Sequence, residues 1–265
     1  DISGLTNRSR HNFWNTSYSV WPDYSYDSLI TYVDSQKQVK NLATLRARVG
    51  YLFNDYLLAY ISSGFAFGRV SAHSFISQQY TGEIIGPLLS NTNSDAVLSQ
   101  SKNGWTFGGG LEWYFARNMS LKAEYLYYDL GANSYQGTPI TTTFTPATDD
   151  PPKNSILPHA KTQFVGDIVR LGLNYHLYDN KHAEISADFT DSKFQNGFYS
   201  GLNIGVGWNN HMNVANESYP VFVDLDNYGT FNPAITQSIM NNRDVNASGS
   251  IGGGGIGYNH FYSNI

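Results

Sequence analysis

The chain predicts an all-β fold, an antiparallel transmembrane β-barrel, and three observations carry that expectation. Large apolar residues recur on one parity of alternating runs while charged residues occupy the other. Short turns alternate with long polar connections. Glycine is concentrated inside the alternating runs, where a helical protein or a β-sandwich avoids it. The clearest run is Trp105 to Phe115, with Trp105, Phe107, Leu111, Trp113 and Phe115 on one face and Thr106, Gly108, Gly110, Glu112 and Tyr114 on the other. One such run fits a sandwich strand. Repeated runs with charge on the polar parity fit a closed wall in lipid.

Composition agrees. Aromatic residues make up 15% of the 265 residues, 20 of them Tyr, and charged residues only 14%, against roughly 25% in soluble domains. Tyr and Trp suit membrane interfaces, where one end of the ring is apolar and the other wet. A net charge of −5 without Lys/Arg clusters provides no surface for nucleic acid. The absence of Cys excludes disulfides and thiolate metal sites. No run approaches ~18 consecutive apolar residues, so helical spans are excluded. The slightly negative mean hydropathy is no objection, because alternating strands average out.

In chain order, Leu45, Ala47, Val49, Tyr51 and Phe53 alternate with Thr44, Arg46, Arg48, Gly50 and Leu52, which points Arg46 and Arg48 inward. Asn54-Asp55 turns into 57–70, where Gly64, Ala66 and Gly68 alternate with Phe65 and Phe67, completing a hairpin. A second hairpin joins 104–115 to 119–129 across Arg117-Asn118. Its return strand sets Leu121, Ala123, Tyr125 and Tyr127 against Lys122, Glu124 and Tyr128. In 167–177, Val169, Leu171, Leu173, Tyr175 and Leu177 oppose Arg170, Gly172, Asn174 and His176. After a polar connector, Gly197 to Trp208 places Phe198, Leu202, Ile204, Val206 and Trp208 on one parity. Ser250 to Phe261 closes the series with Ile256 and Tyr258 in a glycine-rich run. About seven full strands and an N-terminal stub are expected. The polar stretches 5–41, 72–103, 130–163 and 209–249 read as long loops outside the cell, since 30-residue loops are uncommon in compact soluble domains.

The segments Gly197-Phe198-Tyr199-Ser200-Gly201-Leu202-Asn203-Ile204-Gly205-Val206-Gly207-Trp208 and Gly252-Gly253-Gly254-Gly255-Ile256-Gly257-Tyr258-Asn259 resemble the first and second strands of the small outer-membrane β-barrel family, the porin family proteins, similar in architecture to the OmpA membrane barrel. Thr44 to Phe53, Gly104 to Phe115, Leu121 to Gly131 and Val169 to Leu177 resemble its fourth, sixth, seventh and eighth strands, and Asp1-Ile2-Ser3-Gly4 the end of the third. The resemblance implies an eight-stranded barrel in the outer membrane of a Gram-negative envelope, with surface-exposed loops and no catalysis. The order departs from the family, because the eighth-like strand precedes the first-like one. A tandem-barrel fragment is therefore expected, with 1–178 the later part of one barrel, 179–196 a linker and 197–265 the first two strands of another. Circular permutation is the alternative. An in-frame continuation carrying another first-strand segment upstream supports the tandem reading, and a stop codon just after Ile265 contradicts it.

Arg46, Arg48, Glu112, Lys122, Glu124 and Arg170 are the candidate lumen residues, either lining an ion path or pairing into a plug. Unpaired charge in a narrow lumen is costly and the interior of an eight-stranded barrel is just wide enough for side chains, so a plug is expected. Trp105, Tyr127 and Tyr175 are candidates for the aromatic girdles. The expected role is a structural or interaction protein acting through its loops, with outer-membrane lipid and an extracellular or host ligand as partners, no nucleic acid and no cofactor. A narrow porin and a soluble lipocalin-like ligand carrier are the alternatives. The lipocalin places apolar residues inward and charge outward, and yields a monodisperse monomer without detergent.

Other motifs carry less. Gly252-x-Gly254-x-x-Gly257 matches a dinucleotide fingerprint by letter but lies in a strand pattern without the helix that fingerprint requires. Asp224-Leu225-Asp226-Asn227-Tyr228-Gly229 lacks the downstream Glu of a calcium loop. The His at 11, 73, 159, 176, 182, 211 and 260 show no metal-ligand spacing. Ser155, His159 and Asp149 could assemble a loop triple like that of outer-membrane lipid hydrolases, but such triples arise by chance in polar loops.

Overall fold

The computed structural model describes residues 2–17, 28–54, 56–81, 92–116, 118–143, 153–157, 159–178, 196–209, 217–224, 231–239 and 247–261. The strands are β1 (Ile2–Ser17), β2 (Ser28–Asn54), β3 (Leu57–Thr81), β4 (Thr92–Ala116), β5 (Met119–Gln136), β6 (Ile140–Thr143), β7 (Lys153–Ile156), β8 (His159–Tyr178), β9 (Gly197–Asn209), β10 (Glu217–Asp224), β11 (Phe231–Ile239) and β12 (Ala247–Asn259). Eight of them form a closed barrel in the order β1-β12-β9-β8-β5-β4-β3-β2, while β6-β7 and β10-β11 form separate two-stranded sheets. Every barrel pairing is antiparallel and joins successive barrel strands along the chain, β5 with β8 and β9 with β12 across the small hairpins, except β12 with β1, which closes the wall through Ile2↔Gly254 to Leu5↔Ile251.

Seven barrel strands carry the segments identified by alternation. The eighth, β1, starts at the residues that read as a strand stub. Residues 179–195, inside the stretch read as a linker, fall outside the described residues, yet β8 and β9 on either side pair directly from Asp167↔Trp208 to Tyr178↔Gly197.

The long stretches read as loops contain far more strand than expected. β1 and the first half of β2 occupy 5–41, the ends of β3 and β4 occupy much of 72–103, and β10 and β11 lie within 209–249. The reason is a change of solvent along each strand. On β2, the outward positions Ala43, Leu45, Ala47, Val49, Tyr51 and Phe53 span ten residue steps. At ~3.3 Å per residue and a tilt of about 40°, that is a band ~25 Å tall, the thickness expected of a lipid-facing wall. Leu45, Ile61, Phe65, Leu111, Leu171, Leu202 and Ile204 are exposed on this band. Above it the same parity faces outward but the polarity of the two faces inverts. On β3, Arg69 and the half-exposed His73 face outward while Val70, Ala72 and Ile76 are buried inside. Where lipid ends, water surrounds the wall and the interior becomes the apolar phase, so the outward stripe that marks a membrane strand disappears.

Backbone details keep the wall tight. Gly131 adopts φ +78 at the register shift between Asp129 and Ala132, and its N–H donates to Asp129 Oδ1 at 2.7 Å. This is the bulge conformation that glycine enters without strain. At Gly104 a Cβ would collide with the backbone carbonyl of Asp129 and come within 2.9 Å of Leu130 Cα. Because the obstruction is main chain, Gly104→Ala should destabilise the folded barrel by about 1–3 kcal/mol, read as a lower denaturant midpoint in detergent.

Candidate functional site: the lumen network

The inward parity of β2, β4, β5 and β8 brings the six charged lumen candidates into one layer. The β4–β5 and β5–β8 ladders set Glu112 opposite Lys122 and Glu124 opposite Arg170, and the barrel's curvature carries Arg46 and Arg48 across from β2. Glu124 is the hub. Its Oε1 accepts from Arg46 Nη1 at 2.7 Å and from the Tyr60 hydroxyl at 3.0 Å. Its Oε2 accepts from Arg170 Nε at 2.6 Å, with Arg170 Nη2 at 2.5 Å. The Arg170 side chain is 1% exposed and that of Glu124 2%, so the ion pair is shielded from solvent.

Glu112 forms a second node. Oε2 accepts from Arg48 Nη1 at 2.8 Å, and Oε1 accepts from Ser120 Oγ at 2.6 Å and Asn174 Nδ2 at 2.7 Å. Arg48 also donates to Asn259 Oδ1 on β12 and lies over the rings of Tyr199 at 4.6 Å and Tyr60 at 5.3 Å. The network therefore reaches from β2 across to β9 and β12. Lys122 is buried on the same face of β5 as Glu124, two residues away.

Apolar layers lie on both sides of this charged layer. Towards the short turns, Leu58, Tyr60 and Tyr114 pack with Leu52, and the His176 ring lies 4.9 Å from that of Tyr114 and 5.7 Å from that of Tyr199. Towards the long-strand end, Val39, Leu42, Val70, Leu126, Tyr128, Leu130, Phe164, Ile168 and Ile251 form a buried cluster. Alternation alone did not reveal this apolar stopper, which was readable only as apolar residues appearing on the inward parity beyond Arg46, Glu124 and Arg170. Asn174 and His176 were on the polar parity of the sequence reading without a role, while Ser120, Tyr60, Tyr199 and Asn259 escaped it, although each lies on the lumen parity of its strand.

Ser120, His176 and Glu112 look superficially like a hydrolytic triad. Ser120 Oγ lies 2.8 Å from His176 Nε2, and that same nitrogen is 3.5 Å from Glu112 Oε1. A catalytic histidine stands between acid and serine and uses both ring nitrogens. Here one nitrogen faces both partners, and Ser120 is fully buried. Asp149 of the loop triple lies outside the described residues, as do residues 225–229 of the calcium-like segment. The glycine fingerprint lies within β12, in strand conformation throughout.

Trp105 and Tyr127 face outward with tilted rings whose centroids lie 5.2 Å apart at the upper edge of the band, and neighbouring Tyr125 donates its hydroxyl to Asp167 at 2.5 Å. Tyr175 is outward and half-exposed at the opposite edge, where Phe198–Tyr258 and Trp113–Phe115 form ring pairs at 5.0 and 5.8 Å.

Above the band, Lys37 is buried, donates to the Gln163 carbonyl and lies 5.4 Å over the Phe164 ring. Burial pushes its ammonium down to about 7 from 10.5. Below pH about 7 the folded and unfolded chains both hold this proton. Between about 7 and 10.5 the unfolded chain holds a proton that the folded chain has released, so stability from this group rises with pH across that window. Lys37→Met should remove the rise, as measured by unfolding at pH 6 and 9.5.

Comparison with known proteins agrees with this geometry. Residues 11–146 match the family model described as outer membrane protein beta-barrel domain. The 31 kDa outer-membrane immunogenic proteins of Brucella melitensis biotype 1 and Brucella suis biovar 1 are each 33% identical over 141 residues, covering 53% of this chain and 47% of theirs. The chain thus spans about half the length of the curated relatives it matches. No solved structure matches it. With an apolar band facing outward, ion-paired charge on the inward face and a family model covering half its length, the chain belongs to the outer-membrane β-barrel family and resides in the outer membrane.

Proposed function

We propose that the protein is a surface-exposed structural and interaction barrel with a closed lumen, acting through its long-strand end rather than by conducting solutes or catalysing a reaction. The observation that carries this reading is the stacking of an ion-paired layer between two apolar layers across the lumen. A conducting path needs a continuous wet column, whereas this interior is filled by side chains. The long-strand end, with the β6-β7 and β10-β11 hairpins, faces outside the cell and meets an extracellular or host ligand. The word immunogenic in the names of the Brucella relatives fits a surface that antibodies reach. For chain organisation we retain the tandem origin, with 1–178 and 197–265 derived from successive barrels joined by 179–196, even though their strands close here into one wall; sequence flanking both ends tests it.

Orientation can be tested cleanly because the chain has no Cys. Ser99→Cys, exposed on the tall end of β4, should react with a membrane-impermeant maleimide on intact cells. Tyr56→Cys, exposed at the short-turn end, should react only after permeabilisation. The reverse pattern overturns the proposal.

A further inference from the structure

We propose that the outer face of β2 and β3 binds the phosphates of the anionic glycolipid in the outer leaflet, with Lys40, Asn41 and Arg69 as the contact residues. This rests on the orientation proposed above.

The sequence would ordinarily send Lys40 and Asn41 to opposite faces of β2. Instead the β2–β3 ladder slips by one residue between Val39↔Val70 and Asn41↔Arg69. Val39 and Leu42 on either side are buried in the lumen, while Lys40 and Asn41 are both exposed. A bulge re-aims side chains in this way. It sets two polar side chains beside Arg69, which is directly opposite Asn41, in the range where cross-strand neighbours lie about 4.5–5.5 Å apart.

Position along the wall identifies the occupant. Phe67, Phe65 and Leu45, exposed to lipid, lie immediately below on the same faces of the two strands, so the cluster sits where acyl chains give way to headgroups. At the same height the other side of the barrel carries Asp129 and Asp167 among Trp105, Tyr125 and Tyr127. Among the described residues the charge at this level is thus segregated, with Lys40 and Arg69 outward on β2 and β3 and the two carboxylates on the other side. A forked guanidinium beside an ammonium and an amide suits a phosphate monoester on a sugar.

The test is retention of bis-phosphorylated lipid A by the purified barrel in neutral-detergent micelles, read by native mass spectrometry. At ~1 kcal/mol per basic residue near an anionic surface, Lys40→Gln should weaken retention about fivefold and Lys40→Gln/Arg69→Gln about 30-fold. Dephosphorylated lipid A should be retained poorly by every form. Lys161→Gln, which removes an exposed charge from β8, should leave retention unchanged. Unchanged retention in the double variant, an equal loss in Lys161→Gln, or full displacement by millimolar inorganic phosphate would each overturn the proposal. Both positions are exposed, so folding should survive, and near-UV circular dichroism checks that. Retention does not depend on orientation in the cell. Absence of retention by the unsubstituted barrel therefore defeats the lipid site alone, whereas maleimide labelling of Tyr56→Cys on intact cells defeats the orientation and, with it, the outer-leaflet assignment.

Discussion

Glu124→Gln should lower the stability of the folded barrel by about 3–5 kcal/mol, the range for removing one partner of a buried ion pair. The carboxylate accepts from Arg46 and Arg170 while Tyr60 donates to the same group. Its loss leaves two guanidinium groups facing one another in a buried layer. The amide keeps the shape of the side chain but not the charge, so the effect reports electrostatics rather than packing. Arg170→Met in the same background should recover part of the loss, because it removes one of the two stranded charges. A double-mutant cycle on urea unfolding in detergent isolates that coupling. If Glu124→Gln falls within about 0.5 kcal/mol of the parent, the layer is not the ion-paired plug described above.

Phe164→Ala should cost about 3–5 kcal/mol through a different mechanism, the loss of a fully buried aromatic and the cavity left behind. Phe164 is 0% exposed within the apolar stopper, and its ring also carries the Lys37 ammonium. The two substitutions probe different layers and should be close to additive. Phe164→Leu should recover much of the loss, since it refills the cavity without the ring. The midpoint of refolding from urea reads both.

Most of the membrane-embedded wall was legible in the sequence, because lipid on one side and a narrow lumen on the other impose opposite demands on alternate residues. Trp105 to Phe115 and Val169 to Leu177 show these opposed faces most plainly. The wall above the membrane was not legible. With water outside, Ser71 and His73 on β3 face the same solvent as a loop would, and the polar stretches 5–41 and 72–103 lose the outward apolar stripe. The interior there does alternate, with Val70, Ala72 and Ile76 inward, but small side chains on a strand rich in Ser and Gln give a faint signal. β1 is fainter still. Ile2 to Ser17 has no sustained alternation, and its strand identity comes from pairing with β2 and β12, a long-range property.

For the lumen, residue type and parity indicated which charges share a face, but not which ones meet. Arg46 reaching Glu124, and Arg48 reaching Glu112, depends on how the wall curves between β2 and the β4–β5 hairpin. The role of His176 and Ser120 likewise depends on the distance across the barrel. The bulge at Lys40 could not be read from local sequence at all, since no glycine marks it and only the ladder register exposes the slip.

Single-channel recording of the refolded barrel in a planar bilayer tests the closed lumen most directly. A correctly inserted barrel with stacked apolar and ion-paired layers gives a baseline without discrete steps across the voltage range. Stable, reproducible current steps that change in size or selectivity in Glu124→Gln or Arg170→Met would show a continuous wet column past those residues and contradict the closed lumen.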